Sequence, residues 1–399
     1  MKVPLLDLTQ QYERFAAEAQ AAIARVCQSQ HFILGAEGRE LERSLASYTG
    51  CQHGIGVSSG TDALLLALMA LGIGPGDEVI TSPFTFFATA GTIARVGARP
   101  VFCDIDRETF NLSPALVAEF LAQSCEVRGS AGGRELVNRK TGGRIKAIMP
   151  VHLYGQACDM DAFMEIAERY GLHVIEDAAQ AIGAQDARGR MVGSVGDIGC
   201  FSFFPTKNLG AFGDAGMCTT NDAALAERMR VLRVHGMEPK YHHSLIGGNF
   251  RLDEIQAAVL NVKLEFLDKW RDAREAHARQ YTERLQAKAA GGAVVTPAPS
   301  RAGRHVWNQY VIRAQRRDEL RPYLASAGIG TEIYYPIPLH LQQCFAYLGH
   351  RPGEMPESER AAAEVLALPV FPELSPAQID YVAGTIERFY APAVTQQIA

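Results

Sequence analysis

The chain has 399 residues, of which 47% are apolar, and this predicts two or three globular domains with a large core. Its net charge of −5 argues against a surface that binds nucleic acid or anionic membranes. The N-terminus reaches Asp7 too early for a signal peptide. The longest apolar stretch, Ala63 to Leu71, falls short of the roughly 20 residues that span a bilayer. We therefore expect a cytoplasmic protein.

Neither a disulfide framework nor a metal site is predicted. The eight cysteines form no Cys-x-x-Cys pair and do not cluster with histidine, so we expect free thiols. The run Tyr241-His242-His243 contains two adjacent histidines, but no third ligand follows at a suitable spacing. The histidines are therefore interpreted as solvent-facing or substrate-binding groups.

Helical and strand patterns alternate between residues 60 and 220. Helices are predicted at Thr61–Leu71, Thr85–Val96, Pro114–Ala122 and Met160–Tyr170. Strands are predicted at Glu78–Ser82, Pro100–Ile105, Ile145–Val151, His173–Glu176, Ile198–Phe203 and Gly216–Thr219. This alternation is typical of an α/β fold with a mostly parallel central sheet covered by helices on both faces. Ligands bind such sheets at the carboxyl ends of the strands.

The rest of the chain predicts a smaller α+β part. Its expected elements are a long helix at Arg251–Leu285, a linker at Gly291–Gly303, a strand at His305–Arg313, and helices at Asp318–Ala327, Glu357–Leu366 and Pro376–Arg388. We accordingly divide the chain into a large domain with an N-terminal arm (1–250), a long connecting helix (251–290) and a small C-terminal domain (291–399).

The segment from Glu126 to Lys146 is polar and rich in glycine, and it carries an excess of basic residues. A solvated hairpin is the favoured interpretation. A clamp for the phosphates of a substrate is the alternative, because clustered basic groups bind phosphate.

Lys207 and Asp177 carry the strongest chemical signal. Lys207 lies in a turn bounded by Pro205 and Gly210, just after one predicted strand, and Asp177 ends the preceding one. Pyridoxal phosphate needs an amine that forms a Schiff base with its aldehyde, and a carboxylate that keeps its pyridine nitrogen protonated. The pair therefore predicts a pyridoxal-phosphate enzyme.

A phosphate cup is predicted where a helix begins at Gly60. Glycine lets the backbone approach an anion, and a helix N-terminus offers free N–H groups. Thr61 adds a hydroxyl group, and Ser202 supplies another from the strand before Lys207. Ordinary helix capping by Ser, Thr and Asp explains the same residue types.

Aromatic and amide side chains near these positions are candidates for the cofactor ring. In the run Phe84-Thr85-Phe86-Phe87 we assign Phe84 and Phe87 to the core and Phe86 to the face of the ring. Gln180 is expected to reach the ring or its phenolic oxygen, with a helix-surface amide as the alternative.

Several motifs in register make the chain recognisable. They are Gly60-Thr61-Asp62-Ala63-Leu64, Pro83-Phe84-Thr85-Phe86, Glu176-Asp177-Ala178-Ala179-Gln180, Phe203-Phe204-Pro205-Thr206-Lys207-Asn208-Leu209-Gly210, Gly247-Gly248-Asn249-Phe250-Arg251-Leu252-Asp253 and Tyr335-Pro336-Ile337-Pro338. From Val3 almost to its end the sequence resembles the DegT/StrS family of nucleotide-sugar aminotransferases, which have fold type I of the aspartate aminotransferase superfamily. The segment 126–146 is longer than the family pattern.

The resemblance implies roles for individual residues. Lys207 would bind pyridoxal 5'-phosphate covalently and act as the catalytic base, Asp177 would pair with the pyridinium, and Phe86 would stack on the ring. The phosphate would be held by Gly60, Thr61, Asp62, Ser202 and, from the neighbouring subunit of a homodimer with shared active sites, Asn249. The residues expected to line the sugar-nucleotide pocket are Tyr241, His242, Arg251, His305, Tyr335 and His340.

The resemblance also implies the reaction. L-Glutamate would donate its amino group and leave as 2-oxoglutarate, and a keto sugar on a nucleoside diphosphate would accept the group in ping-pong fashion. The form of the segment Asn249–Asp253 favours C-3 of a UDP-linked 2-acetamido-3-keto sugar. A dTDP-linked 3-keto- or 4-keto-6-deoxyhexose and a non-catalytic regulator with the same fold are the alternatives. Dehydratase relatives replace the lysine with histidine, and Lys207 argues against them.

Overall fold

The computed structural model describes residues 1–130, 133–287, 292–298 and 303–391, and two sheets organise them. The strands of the main sheet are His53–Val57 (β1), Asp77–Thr81 (β2), Arg99–Phe102 (β3), Cys125–Ser130 (β4), Gly133–Asn138 (β5), Arg144–Met149 (β6), His173–Asp177 (β7), Ile198–Ser202 (β8) and Gly216–Thr220 (β9). The second sheet contains Val294–Val295 (β10), Tyr310–Ala314 (β11) and Val365–Leu368 (β12).

Helices cover both sheets. Their bounds are Thr9–Glu13 (α1), Ala16–Ser29 (α2), Ala36–Thr49 (α3), Gly60–Ala70 (α4), Ala88–Arg95 (α5), Pro114–Ser124 (α6), Met160–Tyr170 (α7), Ala223–Leu232 (α8), Glu254–Leu264 (α9), Leu267–Ala287 (α10), Arg317–Ser326 (α11), Pro356–Glu364 (α12) and Pro376–Tyr390 (α13). Among the described residues, no helix is both long and apolar enough to cross a membrane.

The main sheet has the order β1-β9-β8-β7-β6-β2-β3, and the strands from β3 to β8 along this path are parallel. Strand β9 pairs antiparallel with β8, and β1 pairs antiparallel with β9. The carboxyl ends of the five parallel strands therefore meet at one edge of the sheet. The predicted α/β fold with a mostly parallel sheet is confirmed.

The core explains why α4 forms where it does. Every residue from Ala63 to Leu68 is buried, as expected for a helix with apolar residues on all sides that is enclosed by other elements. Ser59 defines the start of the helix, because its hydroxyl oxygen accepts a hydrogen bond from the backbone N–H of Asp62 at 3.0 Å. The sequence thus places the free N-terminus of α4 beside the end of β8.

The predicted single helix from Arg251 to Leu285 is wrong. A turn at residues 265–266 divides it into α9 and α10. Phe266 stacks on Trp270 with the ring centroids 5.6 Å apart, and both rings lie within 6.1 Å of the Phe15 ring. The sequence pattern is helical on both sides of the turn, and packing against the N-terminal segment accompanies the break.

Two predicted bounds in the C-terminal part are also wrong. The strand expected from His305 begins only at Tyr310, because Trp307 adopts φ +50°, which an extended strand does not allow. The helix expected to reach Leu366 ends at Glu364, and the next residues form β12. Of the predicted linker, residues 291 and 299–302 lie outside the described part.

The C-terminal sheet shares its core with distant parts of the chain. Val3 is fully buried there and bridges to Ile329, and Tyr281 of α10 stacks on Tyr310 at 5.1 Å. The predicted division at residue 291 therefore separates residues that pack in one core. The division into a large and a small domain stays a prediction, and Val3 of the N-terminal arm packs in the core of the smaller sheet.

The polar segment 126–146 forms the hairpin β4–β5, as predicted. It joins the main sheet through Val137, which pairs with Arg144 at the start of β6. Asp77 forms an ion pair with Arg144 at 2.8 Å, and Glu78 accepts a hydrogen bond from the Asn138 side chain at 2.8 Å. The hairpin is thus attached at the end of the sheet opposite the carboxyl ends of the strands, which argues against the phosphate-clamp alternative. Residues 131–132 lie outside the described part.

A buried carboxylate connects α9 to α3. Glu254 is only 2% exposed and accepts hydrogen bonds from the backbone N–H groups of Gly35, Glu37 and Gly38 at 2.7–3.1 Å. These groups lie at the helix N-terminus, where they have no partner within the helix and favour a negative charge. A Cβ atom on Gly35 or Gly38 would lie 2.6 Å from a Glu254 oxygen, so a larger residue at either position would push the carboxylate away from these N–H groups.

Replacing this carboxylate tests its contribution to stability. We expect Glu254→Ala to lower the free energy of unfolding by about 3 kcal/mol, because one buried and two partly buried N–H groups lose a charged acceptor. Urea denaturation followed by circular dichroism measures the change. The matched control Glu265→Ala alters an exposed glutamate at the end of the same helix, and we expect it to stay within about 0.5 kcal/mol of the original protein. Equal midpoints for the two variants would contradict the assignment.

Candidate active site

Asp177 ends β7 at the carboxyl edge of the sheet. The parallel pairing of β7 with β8 places it opposite Cys200. Its carboxyl group is buried and accepts hydrogen bonds from the Thr89 hydroxyl at 2.8 Å and from the Ala179 N–H at 3.2 Å. Burial raises the pKa of Asp177, against the lowering effects of the Thr89 hydroxyl and the Lys207 charge.

Lys207 lies in a compact turn after β8. The Lys207 N–H donates to the Phe204 carbonyl, and the Ala211 N–H donates to the Phe203 carbonyl, both at 2.8 Å. A Cβ atom on Gly210 would lie 2.3 Å from the Pro205 oxygen, so only glycine fits there. Burial lowers the pKa of Lys207 to about 8, although the nearby Asp177 charge opposes the change. Each charge shifts the pKa of the other group, so the two side chains lie near one another.

The start of α4 lies against the end of β8. A Cβ atom on Gly60 would lie 2.5 Å from the Ser202 Cβ, so glycine allows this approach. The N–H groups of Gly60 and Thr61 belong to the first turn, where a helix provides no acceptor. Asp62 was predicted to help hold the phosphate. Its carboxylate instead accepts hydrogen bonds from the Ser58 and Ser59 hydroxyls at 2.6 and 3.0 Å and so stabilises the turn before α4.

The three phenylalanines divide differently from the prediction. Phe84 is buried, as expected, and Phe86 is 56% exposed, which leaves its ring available to a ligand. Phe87 was assigned to the core, but it is 48% exposed. Its ring packs against Phe345 at a centroid distance of 5.7 Å, a contact that sequence spacing could not reveal.

Gln180 is buried and fixed at both ends of its amide group. Its oxygen accepts from the Tyr154 N–H at 2.7 Å, and its nitrogen donates to the Tyr335 hydroxyl at 3.0 Å. The helix-surface alternative is therefore wrong. The Tyr335 ring lies 6.2 Å from that of Phe86, so Gln180 orients a tyrosine beside the proposed ring site.

His152 is a candidate that the sequence analysis missed. It is fully buried, and its Nε2 lies 3.0 Å from the Glu176 carboxylate, while its Nδ1 accepts from the Cys158 N–H. Its backbone N–H donates to the Asp177 carbonyl at 3.0 Å. A signal was present, because His152 directly follows a predicted strand and so occupies the same edge as Asp177.

Glu176 is held in its charged form, unlike its neighbour Asp177. Burial alone would raise its pKa, but the His152 ring and backbone N–H groups between Gly193 and Gly196 donate to the carboxylate and keep the pKa below its ordinary value. This buried network positions His152 and the backbone of β7 around Asp177.

Four predicted substrate or phosphate residues lie between α8 and α9. Tyr241 is 77% exposed, and His242 and Asn249 are also exposed. The backbone of Arg251 bridges to Val57 at the end of β1, and the Arg251 side chain is half-buried. Among the described residues, no three His, Cys, Asp or Glu side chains come close enough to hold a metal ion.

His305 and His340 were predicted to line the substrate pocket, but both side chains are buried. The His305 ring is buried and stacks on Trp307 at 3.9 Å, and burial lowers its pKa to about 3. The His340 side chain has 0% exposure, and its Nε2 lies 3.2 Å from Glu359. Packing covers the His305 ring, and Glu359 pairs with one nitrogen of the buried His340 ring, so neither residue is included in the substrate site proposed below.

The residues present fit pyridoxal phosphate. A buried carboxyl group with a raised pKa would be stabilised by a protonated pyridine nitrogen, and Lys207 provides an amine that is easily deprotonated. The glycine approach between Gly60 and Ser202 leaves a helix N-terminus for the phosphate. Together with the mostly parallel sheet, these features define a pyridoxal-phosphate-dependent transferase of fold type I.

Comparison with known proteins identifies the family. Residues 13–387 match the DegT/DnrJ/EryC1/StrS aminotransferase family, and the chain belongs to it. The structure of DesV from S. venezuelae in complex with a ketimine intermediate is similar, with a TM-score of 0.89 and 41% identity over 98% of this chain and 99% of that one. The protein is therefore a pyridoxal-phosphate-dependent sugar aminotransferase.

Curated relatives carry different names. A "pleiotropic regulatory protein" of Geobacillus stearothermophilus is 53% identical over 98% of this chain and 99% of its own length. A UDP-N-acetyl-3-dehydro-alpha-D-glucosamine 3-aminotransferase of Acidithiobacillus ferrooxidans is 43% identical over 97% of both chains. A dTDP-3-amino-3,4,6-trideoxy-alpha-D-glucose transaminase of Streptomyces venezuelae is 44% identical over 97% of both chains. The comparisons thus agree on the family and leave the sugar open.

The lowered pKa of Lys207 predicts how covalent capture of the cofactor depends on pH. Only the neutral amine attacks an aldehyde, so we expect the capture rate in the cofactor-free protein to rise with pH and to level off above about 8. Stopped-flow absorbance at several pH values measures the rate. The control Lys207→Ala should show no capture. A rate that still rises steeply between pH 9 and pH 10.5 would show that the amine has the pKa of an ordinary lysine.

Proposed function

We propose that this protein transfers the amino group of L-glutamate to the C-3 ketone of a UDP-linked 2-acetamido-3-keto hexose or hexuronate. Membership of the sugar aminotransferase family supports the reaction class. The observation that favours C-3 and a UDP sugar is the 43% identity, over nearly the full chain, to a protein named for that ketone. The product would be an amino sugar of the kind used in polysaccharide or lipopolysaccharide synthesis.

Lys207 is the proton carrier in this proposal. When bound, pyridoxal phosphate supplies an electron-accepting ring that makes the proton on the amine-bearing carbon labile. The Lys207 amine, with a pKa of about 8, takes that proton and returns it to the cofactor side. The same steps in reverse give the amino group to the keto sugar.

The other residues hold the reacting groups in place. Asp177 stabilises the protonated pyridine nitrogen, and the buried pair of His152 and Glu176 fixes the strand end that presents it. Phe86 covers one face of the ring. The hydrogen bond from Gln180 orients the Tyr335 hydroxyl beside that ring, where it limits the position of the sugar.

We propose that Arg251 and the exposed residues Tyr241 and His242 contact the nucleoside diphosphate. Guanidinium groups bind diphosphate or carboxylate oxygens with two parallel hydrogen bonds. Arg251 is half-buried, and its backbone is held beside β1 by a bridge to Val57. A UDP-hexuronate would offer it a carboxylate as well as a diphosphate.

The dTDP-linked 3-keto- or 4-keto-6-deoxyhexoses are the second candidate substrates. They are favoured by the 44% identity to a transaminase named for a dTDP sugar. A regulatory role is a third candidate, because the relative with 53% identity is named a regulatory protein. The presence of both Lys207 and Asp177, each of which influences the pKa of the other, supports the catalytic candidate over a purely regulatory protein.

A homodimer with shared active sites forms part of the proposal. Phe32, Ile33 and Leu34 are each at least 40% exposed in one chain, which is unusual for consecutive large apolar residues. Asn249 is exposed in the same chain, so its amide is free to reach the phosphate site of a partner subunit. Burial of the apolar run in a twofold interface would bring two such segments together.

A transamination screen tests the substrate. The purified protein, loaded with pyridoxal phosphate, is incubated with L-glutamate and UDP- or dTDP-linked 3-keto and 4-keto sugars, and products are identified by mass. We expect amination of the UDP-linked 2-acetamido-3-keto sugar, and Lys207→Ala as the control should aminate none. Preferential amination of a dTDP sugar would select the second candidate. A lack of any amination, combined with a regulatory effect that survives Lys207→Ala, would favour the regulator.

Mixing two inactive variants tests the shared site. We expect Asn249→Asp to weaken cofactor binding, because it places a carboxylate beside the phosphate, and Lys207→Ala to abolish transfer. When the two are unfolded, mixed and refolded together, half of the sites in each mixed dimer are intact, so about a quarter of the original activity should return. In the control, Arg228→Asp, a change at an exposed residue of α8, replaces Asn249→Asp. No recovery in the mixture would show that Asn249 serves its own subunit.

A further inference from the structure

Lys263 of α9 is a buried lysine that the reaction described above does not use. It is only 3% exposed, although lysine is rarely buried without a charged partner. Among the residues that the structure describes, no carboxylate forms an ion pair with it, and burial lowers its pKa to about 8. A buried ammonium group costs free energy unless its protons are satisfied.

The ammonium group is satisfied by the turn that carries Lys207. The Lys263 Nζ donates a hydrogen bond to the carbonyl oxygen of Gly210. Gly210 is also the residue whose missing side chain lets the turn fold back against Pro205. The hydrogen bond from Lys263 therefore restrains the Lys207 turn at Gly210, where the turn packs against Pro205.

Three aromatic rings surround the same ammonium group. Lys263 Nζ lies 5.5 Å from the ring centroid of Phe15, 5.9 Å from that of Phe212 and 5.8 Å from that of Trp270. Such distances allow cation–π attraction, which increases when the cation is shielded from water. The rings stabilise the charge without competing for the hydrogen bond that the Gly210 carbonyl accepts.

The surroundings of Lys263 come from three separate parts of the chain. Phe15 belongs to the N-terminal arm, Phe212 follows the Lys207 turn, and Trp270 belongs to α10, whose direction is set by the break after α9. Leu8 and Pro205 line a cavity beside the same ammonium group. The Lys263 ammonium group thus contacts the N-terminal arm, α10 and the segment that follows the Lys207 turn.

We propose that Lys263 is a positioning residue for the transamination: its ammonium group, held among Phe15, Phe212 and Trp270, fixes the Gly210 carbonyl and thereby the turn that presents Lys207. The inference rests on Lys207 as the lysine that binds the cofactor. It is independent of which sugar is the substrate.

The test compares Lys263→Met, which keeps most of the side-chain volume but removes the charge, with two controls in the full-length protein. Lys269→Met removes an exposed lysine from the neighbouring helix, and Leu267→Ala creates a packing defect at a buried position nearby. Backbone hydrogen exchange, measured with and without pyridoxal phosphate, reports the order of the turn. Single-turnover reaction with L-glutamate reports the proton transfer by Lys207.

We expect Lys263→Met to increase exchange in residues 203–212 while leaving α13 unchanged. We also expect it to slow the glutamate half-reaction about tenfold, with little change in the glutamate concentration that gives half of the maximal rate. Lys269→Met should match the original protein. Unchanged exchange in residues 203–212 would overturn the proposal, and so would an equal effect of Leu267→Ala, which would indicate general destabilisation. Failure of the sugar screen would leave these readouts unaffected, because neither uses a sugar.

Discussion

The parallel pairing of β7 with β8 is the constraint on which the site depends. It sets Asp177 opposite Cys200, and the few residues that continue β8 then determine where Ser202 and the Lys207 turn lie. Gly60 allows α4 to begin against this same strand end. One register therefore places the carboxyl group, the amine and the helix N-terminus at the same edge of the sheet, and a slip of β8 relative to β7 would move the amine and the helix N-terminus away from the carboxyl group.

Burial favours the neutral form of each ionisable group at this edge of the sheet, and at one of them hydrogen bonds override it. Asp177 and Lys207 are both shifted toward their neutral forms, which suits a cofactor that brings its own charges. Glu176, next to Asp177 in the sequence, is kept charged by His152 and by backbone N–H groups. Buried hydrogen bonds thus stabilise the charge of the structural carboxylate, Glu176. The carboxyl group of Asp177 would instead be stabilised in its charged form by a bound cation. The proposed function uses that difference.

Local patterns predicted the parallel sheet and the position of Lys207, because strand periodicity and turn residues are read within a few positions. They failed where distant contacts decide. The break between α9 and α10 accompanies the packing of Phe266 and Trp270 on Phe15, and Phe87 is covered by Phe345 from the C-terminal half. His340 carried the chemistry of a substrate ligand, but only the structure shows its ring turned toward Glu359.

Successive side chains of a strand point to opposite faces, and β7 ends with two acidic residues of different purpose. Loss or gain of one residue within His173–Asp177 would exchange their faces: a carboxylate would be left without the imidazole at 152, and the cofactor would meet a side chain one methylene too long. We therefore expect related sequences to tolerate insertions around this strand far better than any change in its length. The number of residues between the start of β7 and its two acidic residues is therefore expected to stay constant among related sequences.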